Sequence, residues 1–146
     1  APGGCNDALA QAIGLTDIQG EGFVRVGTLP APMKAADLAA HISVALGDTV
    51  RVMGNAAAMI EKVGMCSGSG AEEWTEAAAM GAHAFLTGEV KHHEWLGAAG
   101  RINLIDGGHY STEVPVVDTL AAWLTEAFSD LTVIPYRDGE PYSVVK

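Results

Sequence analysis

The chain has 146 residues, 49% of them hydrophobic, which fits one ordinary domain with a sizeable core. Its 8 basic and 18 acidic residues give a formal net charge of −10, which repels phosphate backbones and argues against nucleic-acid partners. No apolar run approaches the roughly 18 residues of a membrane span, and no signal stretch follows a charged start. We therefore predict a soluble protein without membrane partners.

The two cysteines, Cys5 and Cys66, stand far apart and form no CxxC pattern. Isolated cysteines of this kind are typical of buried thiols in a reducing compartment. We therefore predict a cytoplasmic location.

The first half of the chain alternates between helical and extended segments. In chain order, the pattern predicts a helix over residues 6–13, a strand over 23–26, a helix over 34–46 and a strand over 49–53. Gly14 and Gly47 are expected to end the two helices. Pro30 and Pro32 predict a turn before the second helix.

The second half predicts three strand–loop–helix units followed by a last strand. The strands are predicted at 63–66, 84–86, 102–105 and 131–134, with helices after each of the first three. Helical crossovers return the chain to the same edge, so the first three strands should be parallel. Their continuous apolar runs indicate helices on both faces. We predict a single α/β domain over residues 1–146, with a mostly parallel sheet flanked by helices.

Three loops of this fold should meet where ligands usually bind. In an open parallel sheet, that place is the edge formed by the carboxyl ends of the strands. The loops are SGSG (67–70), TGEVKHH (87–93) and DGGHYSTE (106–113). Because they hold most residues capable of metal or acid–base chemistry, we predict the functional site there.

The DGGHYSTE loop offers a pair of metal ligands. Gly107 and Gly108 permit a sharp turn, from which His109 should project, with Glu113 in the first turn of a helix. This spacing lets an imidazole nitrogen and a carboxylate oxygen approach one cation, at roughly 2.0–2.2 Å for zinc. In the alternative, Thr112 caps the helix, Glu113 complements its dipole and the histidine is an ordinary loop residue.

The TGEVKHH loop offers groups for proton transfer. Glu89 could act as a base or hold a water near a metal, and His93 could donate a proton to a leaving group. The alternative is a glutamate that compensates a helix dipole beside a solvated histidine pair.

The SGSG loop precedes a helix, so Ser69 and Gly70 could orient an anionic group of a ligand. It lacks the ending of a Walker loop and the dinucleotide fingerprint. The alternative is a tight strand-to-helix turn.

In their order and content, these motifs resemble the NIF-three-like family, whose members are also called GTP cyclohydrolase I type 2 homologues. The similarity is strongest in GMCSGSG…AFLTGEVKHHEWLGAAGRINLIDGGHYSTE, residues 64–113. This segment is similar to the family's glycine loop, its TG(D/E) turn with a following histidine and its GH-x-x-x-E metal motif. Residues 1–15 and 22–29 also resemble family segments.

The resemblance implies an α/β fold assembled into a ring-shaped homohexamer, with two divalent metals per complete site. It assigns the ligand role to His109 and Glu113, with the glutamate bridging the metals, and places Glu89 and His93 near the site. Histidine and carboxylate ligands suit zinc, manganese or iron. The remaining family ligands belong to a first half, so residues 1–146 are expected to be the C-terminal half of a two-half protein.

Two functions follow from these expectations. The first is a metal-dependent hydrolase acting on a small-molecule substrate, with paired cations activating a water. The second is a metal-stabilised assembly scaffold or a binding or regulatory protein without turnover, suggested by small alanine-rich helices and the lack of a convincing nucleophile.

Overall fold

The structure is a computed structural model that describes residues 2–139 and residue 141. The helices are α1 Cys5–Ala12, α2 Ala35–Leu46, α3 Trp74–Ala79, α4 His92–Ala98, α5 His109–Glu113 and α6 Pro115–Ala127. The strands are β1 Thr16–Gln19, β2 Arg25–Lys34, β3 Arg51–Met53, β4 Met59–Cys66, β5 Ala84–Thr87 and β6 Asn103–Asp106. None of the helices within the described residues is long and apolar enough to cross a membrane.

The six strands form one sheet in the order β1-β2-β4-β5-β6-β3. The pairs β4–β5 and β5–β6 are parallel, as predicted, because α3 and α4 supply the crossovers between them. The pairs β1–β2, β2–β4 and β3–β6 are antiparallel. The α/β class with flanking helices is confirmed, while the sheet is mixed, with parallel pairing confined to its centre.

The two prolines expected in a turn lie in β2 instead. The register of β2 against β4 shifts between Thr28 and Met33, so the stretch holding Pro30 and Pro32 bulges out of the ladder. A bulge tolerates proline because the missing N–H would not have paired there. The predicted turn was therefore wrong.

Strand assignment also failed at two other places. β1 was not predicted, since its TDIQ sequence lacks an apolar run. The strand predicted over 131–134 was wrong: these residues have no regular structure, and Ile134 is 81% exposed. Among residues 2–139 and 141, no strand pairs with this apolar run, and an apolar pattern alone does not form a strand.

Two apolar clusters cover the two faces of the sheet. Successive side chains of β5 and β6 alternate between them, as a pleated strand requires. Leu86 and Ile105 pack with α1 and α2 residues in the first cluster, while Phe85 and Leu104 pack with α3 and α4 residues in the second. The central parallel strands are thereby buried on both sides. This packing holds the carboxyl ends of the strands, from which the three loops leave, in place.

Helix α6 differs from the other long helices in its burial. It lies against α1 and α5, yet none of its residues, all described, is buried. Leu120 is 51% and Trp123 59% exposed, and we call these two residues the α6 apolar face. Trp74 and Trp95, by contrast, are partly buried against the second apolar cluster.

Candidate metal centre

The three predicted loops meet at the carboxyl edge of the parallel strands, held by the buried Thr87 of β5. Its hydroxyl donates to the Gly68 carbonyl at 3.0 Å and accepts the Gly70 N–H at 3.2 Å. Its own carbonyl accepts the Gly107 N–H at 2.8 Å. One residue thus joins the SGSG and DGGHYSTE loops to the strand between them.

A second buried threonine completes the connection. The Thr112 hydroxyl accepts the Gly68 N–H at 3.0 Å and donates to the Gly108 carbonyl at 2.9 Å. Thr87 and Thr112 are both 0% exposed, so these hydrogen bonds are shielded from water and costly to leave unmade. Together they fix the loops that surround His109.

His109 and Glu113 come together on a short helix. Gly108 adopts φ 85°, a left-handed conformation that favours glycine, and α5 starts at the next residue. The histidine is therefore helical, where a loop position was expected, and the pair has i,i+4 spacing on one face. His109 Nε2 lies 3.5 Å from Glu113 Oε2, with the side chains 50% and 46% exposed.

Glu89 approaches the other nitrogen of the same ring. Its Oε2 lies 3.2 Å from His109 Nδ1. A carboxylate can only accept here, so Nδ1 carries the proton and, in the neutral ring, Nε2 presents its lone pair toward Glu113. This carboxylate–histidine arrangement is common around protein-bound metals.

The donor atoms fit a divalent cation. Two ligand atoms each roughly 2.1 Å from a tetrahedral ion are about 3.4 Å apart, close to the 3.5 Å between Nε2 and Oε2. A lone pair facing a carboxylate is unfavourable unless a proton or cation lies between them. The residue opposite is Gly68, with φ +64°, where an added Cβ would lie 2.4 Å from Glu113 Oε1. Glycine therefore leaves this space open.

The remaining predicted site residues make no hydrogen bond or ion pair with His109 or Glu113 among the residues that the structure describes. His93 is exposed in the first turn of α4. Ser69 is exposed, while Gly70 is buried and donates its N–H to Thr87. The roles of His93, Ser69 and Gly70 stay predictions.

Sequence reasoning missed the polar residues that anchor helix α5 and the turn before it. Asp106, 4% exposed, accepts the Gly108 N–H at 3.1 Å and forms an ion pair with Arg51. Ser111 donates to Asp48 at 2.6 Å. Asp106 could have been found, since an acid at the end of an apolar strand commonly accepts hydrogen bonds from the following turn.

Cys66 lies at the end of β4, directly before the SGSG loop, and is 7% exposed. Burial raises the pKa of its thiol, and the nearby charge of Glu73 raises it further. The group is therefore an uncharged thiol at neutral pH, and the thiolate that a metal requires is disfavoured.

The site is incomplete by the standard of ordinary metal centres. Catalytic zinc sites use about three protein ligands. Within residues 2–139 and 141, no cluster of three or more His, Cys, Asp or Glu side chains is arranged to hold a metal. His109 and Glu113 offer two candidate donor atoms.

Comparison with known proteins identifies relatives over most of the chain. The model of the Duf34/NIF3 (NGG1p interacting factor 3) family matches residues 1–140. A GTP cyclohydrolase 1 type 2 homolog of Deinococcus radiodurans is 39% identical over 132 residues, which cover 86% of this chain and 50% of the relative. One of Nostoc sp. is 34% identical over 128 residues, covering 80% and 49%. The chain thus spans about half the length of these curated relatives.

Solved structures share the fold. Staphylococcus aureus protein SA1388 has a TM-score of 0.87 at 23% identity, with 99% of this chain and 66% of that chain covered. The protein ybgI, described as of unknown function, has a TM-score of 0.76 at 32% identity, covering 84% and 51%.

Proposed function

Because the chain belongs to the Duf34/NIF3 family, we propose that it is a divalent-metal-binding protein and part of a dinuclear metal-dependent hydrolase. His109 and Glu113 are the proposed ligands. One observation carries the proposal: Nε2 and Oε2 lie 3.5 Å apart, with Glu89 on the opposite ring nitrogen. The lone pair of His109 Nε2 and the carboxylate of Glu113 therefore face the same space.

The proposed roles follow from the contacts of each side chain. A bound divalent cation would lower the pKa of its water and polarise a substrate oxygen. Glu89 holds His109 through Nδ1 and is the nearest candidate base. His93, exposed on α4, is a candidate proton donor. The hydroxyl of Ser69, exposed at the same sheet edge, could contact the anionic group of a small-molecule substrate beside Gly70.

Two ligands are too few for a tightly held ion, so we propose that the others come from outside this chain. The chain spans about half of its curated relatives, which leaves room for such residues elsewhere in the protein. The exposed α6 apolar face supports self-association, for which a homohexamer is our proposal. Zinc, manganese and iron all suit histidine and carboxylate ligands.

Substitution of Glu113 tests the ligand assignment. In the intact protein, Glu113→Gln should abolish metal loading measured by elemental analysis, because an amide oxygen binds divalent ions far less strongly than a carboxylate. Glu126→Gln, which changes the same group at an exposed position of α6, is the matched control and should load fully. Stoichiometric metal in Glu113→Gln would refute the assignment.

The second candidate is a metal-stabilised assembly scaffold without turnover, which the exposed α6 apolar face favours. A screen of phosphoesters and nucleotides with Mn²⁺, Zn²⁺ or Fe²⁺ separates the two. Turnover that disappears in His109→Ala supports the hydrolase. Metal-dependent assembly measured by light scattering, without turnover of any substrate tested, supports the scaffold.

A further inference from the structure

Arg51 is a charged residue that the candidate metal centre has not so far accounted for. It is the first residue of the edge strand β3. Because β3 runs antiparallel to β6, Arg51 pairs with Asp106, the last residue of β6. The loop that leads to His109 leaves β6 at this point. Arg51 therefore lies at the same edge of the sheet as the three predicted loops, although it belongs to none of them.

The side chain of Arg51 joins two elements of the fold. Its Nη2 forms an ion pair with Asp106 Oδ2, and its guanidinium carbon lies 5.7 Å from the centre of the Trp95 ring of α4. A guanidinium within about 6 Å of a tryptophan ring makes a cation–π contact. The arginine side chain is 65% exposed, whereas that of Asp106 is 4% exposed. Two contacts thus hold a long surface side chain in one position.

The carboxylate of Asp106 carries this contact to the turn before His109. While Oδ2 pairs with Arg51, Oδ1 accepts the Gly108 N–H at 3.1 Å. Gly108 has φ 85° and immediately precedes His109. Among residues 2–139 and 141, Arg51 is the one cationic side chain paired with Asp106. A buried carboxylate that loses its cation is strongly destabilised, so without Arg51 it would shift toward water and away from the Gly108 N–H.

The second contact of Arg51 leads to the other side of the same imidazole. Trp95 lies on α4, and the segment between β5 and α4 carries Glu89. Glu89 Oε2 lies 3.2 Å from His109 Nδ1. Arg51 therefore contacts α4 directly and the β6–α5 turn through Asp106, and these two segments hold the groups on either side of the His109 ring.

From these contacts we propose that Arg51 is a positioning residue of the metal centre. Through Asp106 it fixes the turn at Gly108, and so sets the direction of the His109 ring. The inference rests on the proposed metal-binding function. It assigns to Arg51 a contribution to metal affinity that involves no contact with the ion.

Arg101 offers a matched control within the same chain. Its guanidinium carbon lies 5.9 Å from the centre of the Trp74 ring, so its stacking resembles that of Arg51. Arg101 is also exposed, but it forms no ion pair within residues 2–139 and 141. It directly precedes the start of β6, at the opposite edge of the sheet. Arg101→Met therefore removes the same charge and the same kind of stack without a link to Asp106.

Binding of Mn²⁺ to the intact, chelator-treated protein tests the proposal, with free Mn²⁺ measured by electron paramagnetic resonance. Arg51→Met should weaken binding by roughly tenfold, as loss of a residue that orients a metal ligand does. Arg51→Lys keeps the charge and should restore most of the affinity, whereas Arg101→Met should bind as the unchanged protein does. Because Arg51 acts through Asp106, Arg51→Met should add little to the loss caused by Asp106→Asn.

The tautomer of His109 gives a second readout that needs no metal. In ¹⁵N spectra of the metal-free protein, the ring proton should be on Nδ1, where Glu89 accepts it. Arg51→Met should raise the share of the Nε2–H form, which a change of stability alone would not do. If the unchanged protein binds no Mn²⁺, the proposed metal site fails, and the tautomer still decides the role of Arg51.

Three outcomes would overturn the proposal. They are unchanged Mn²⁺ affinity and an unchanged His109 tautomer in Arg51→Met, an equal loss in Arg101→Met, or additive losses from Arg51→Met and Asp106→Asn. Should Arg51→Met fail to fold by circular dichroism, Arg51→Gln takes its place in every comparison.

Discussion

The three-loop edge and helix α6 differ in the groups that they bury and expose. At the loop edge, hydroxyls and a carboxylate lie inside, with Thr87 and Thr112 fully buried and Asp106 at 4% exposure. The side chains of His109 and Glu113 are about half exposed. On α6, the exposed residues include the large apolar Leu120 and Trp123. Buried polar groups with satisfied hydrogen bonds specify one arrangement, whereas uncovered apolar groups specify a surface that another molecule can cover.

Because the loop edge is tightly packed, a small substitution there should lower the free energy of unfolding considerably. Gly88→Ala should lower the free energy of unfolding by about 3 kcal/mol, because the added Cβ would lie 2.4 Å from Thr112 Oγ1 and 2.8 Å from the Gly108 carbonyl oxygen. Urea denaturation measures the loss. Gly97→Ala in α4 is the control, since no described atom lies within 4 Å of its added Cβ, and it should be neutral or stabilising by about 0.5 kcal/mol. Equal stability of the two variants would contradict a tightly packed loop edge.

Removing one buried hydroxyl tests the hydrogen bonds themselves. Thr112→Val keeps the side-chain shape but leaves the Gly68 N–H without its partner, which should cost about 2 kcal/mol. Thr112→Ser keeps the hydroxyl and should lose about 1 kcal/mol for the missing methyl group. If chemical denaturation shows the valine variant to be the more stable of the two, packing and not hydrogen bonding holds the loops together.

The thiol of Cys66 should make stability depend on pH. Burial first, and Glu73 second, raise its pKa above the ordinary 9.0, so the folded protein holds this proton more tightly than the unfolded chain does. This contribution is fully present below the unfolded pKa and is lost as pH rises through the folded pKa. Urea denaturation at increasing alkaline pH should therefore show a decline that Cys66→Ala lacks. The same decline in both proteins would assign it to other groups.

The smallest effect is expected on α6. In the dissociated chain, at the lower protein concentration, Trp123→Ala should change the free energy of unfolding by no more than about 0.5 kcal/mol, because its side chain is largely exposed. Denaturation at two protein concentrations gives the measurement. A loss of about 2 kcal/mol or more, growing with concentration, would show that another subunit covers the α6 apolar face.

The sequence predicted the central units because their signals are local and strong. Apolar runs before glycine loops located β4, β5 and β6, and the parallel direction followed from the helices between them. The prolines in β2 were misread, because a bulge depends on pairing with β4 that the sequence does not display. The strand predicted over residues 131–134 failed for a related reason: a strand needs a pairing partner, and none of the strands in the described part of the chain pairs with these residues.

The candidate site was predicted in position and only partly in detail. The order of the loops was enough to expect His109 and Glu113 at one edge, and their atoms do face each other. The alternative reading of Thr112 as a helix cap did not foresee its bond to Gly68, which spans 44 residues of sequence. Glu89 was placed near the site, but its contact with Nδ1 depends on the tilt of the imidazole ring, which spacing alone cannot give.

The mixed sheet also ends in short strands at both margins. β1 has four residues and β3 has three, and each carries a charged residue, Asp17 and Arg51. Long, flat, apolar margins invite pairing between molecules and growth into fibrils, whereas brief charged ones discourage it. Any assembly of this protein should therefore proceed through helical surfaces. The edge strands of neighbouring molecules should not pair into one continuous sheet.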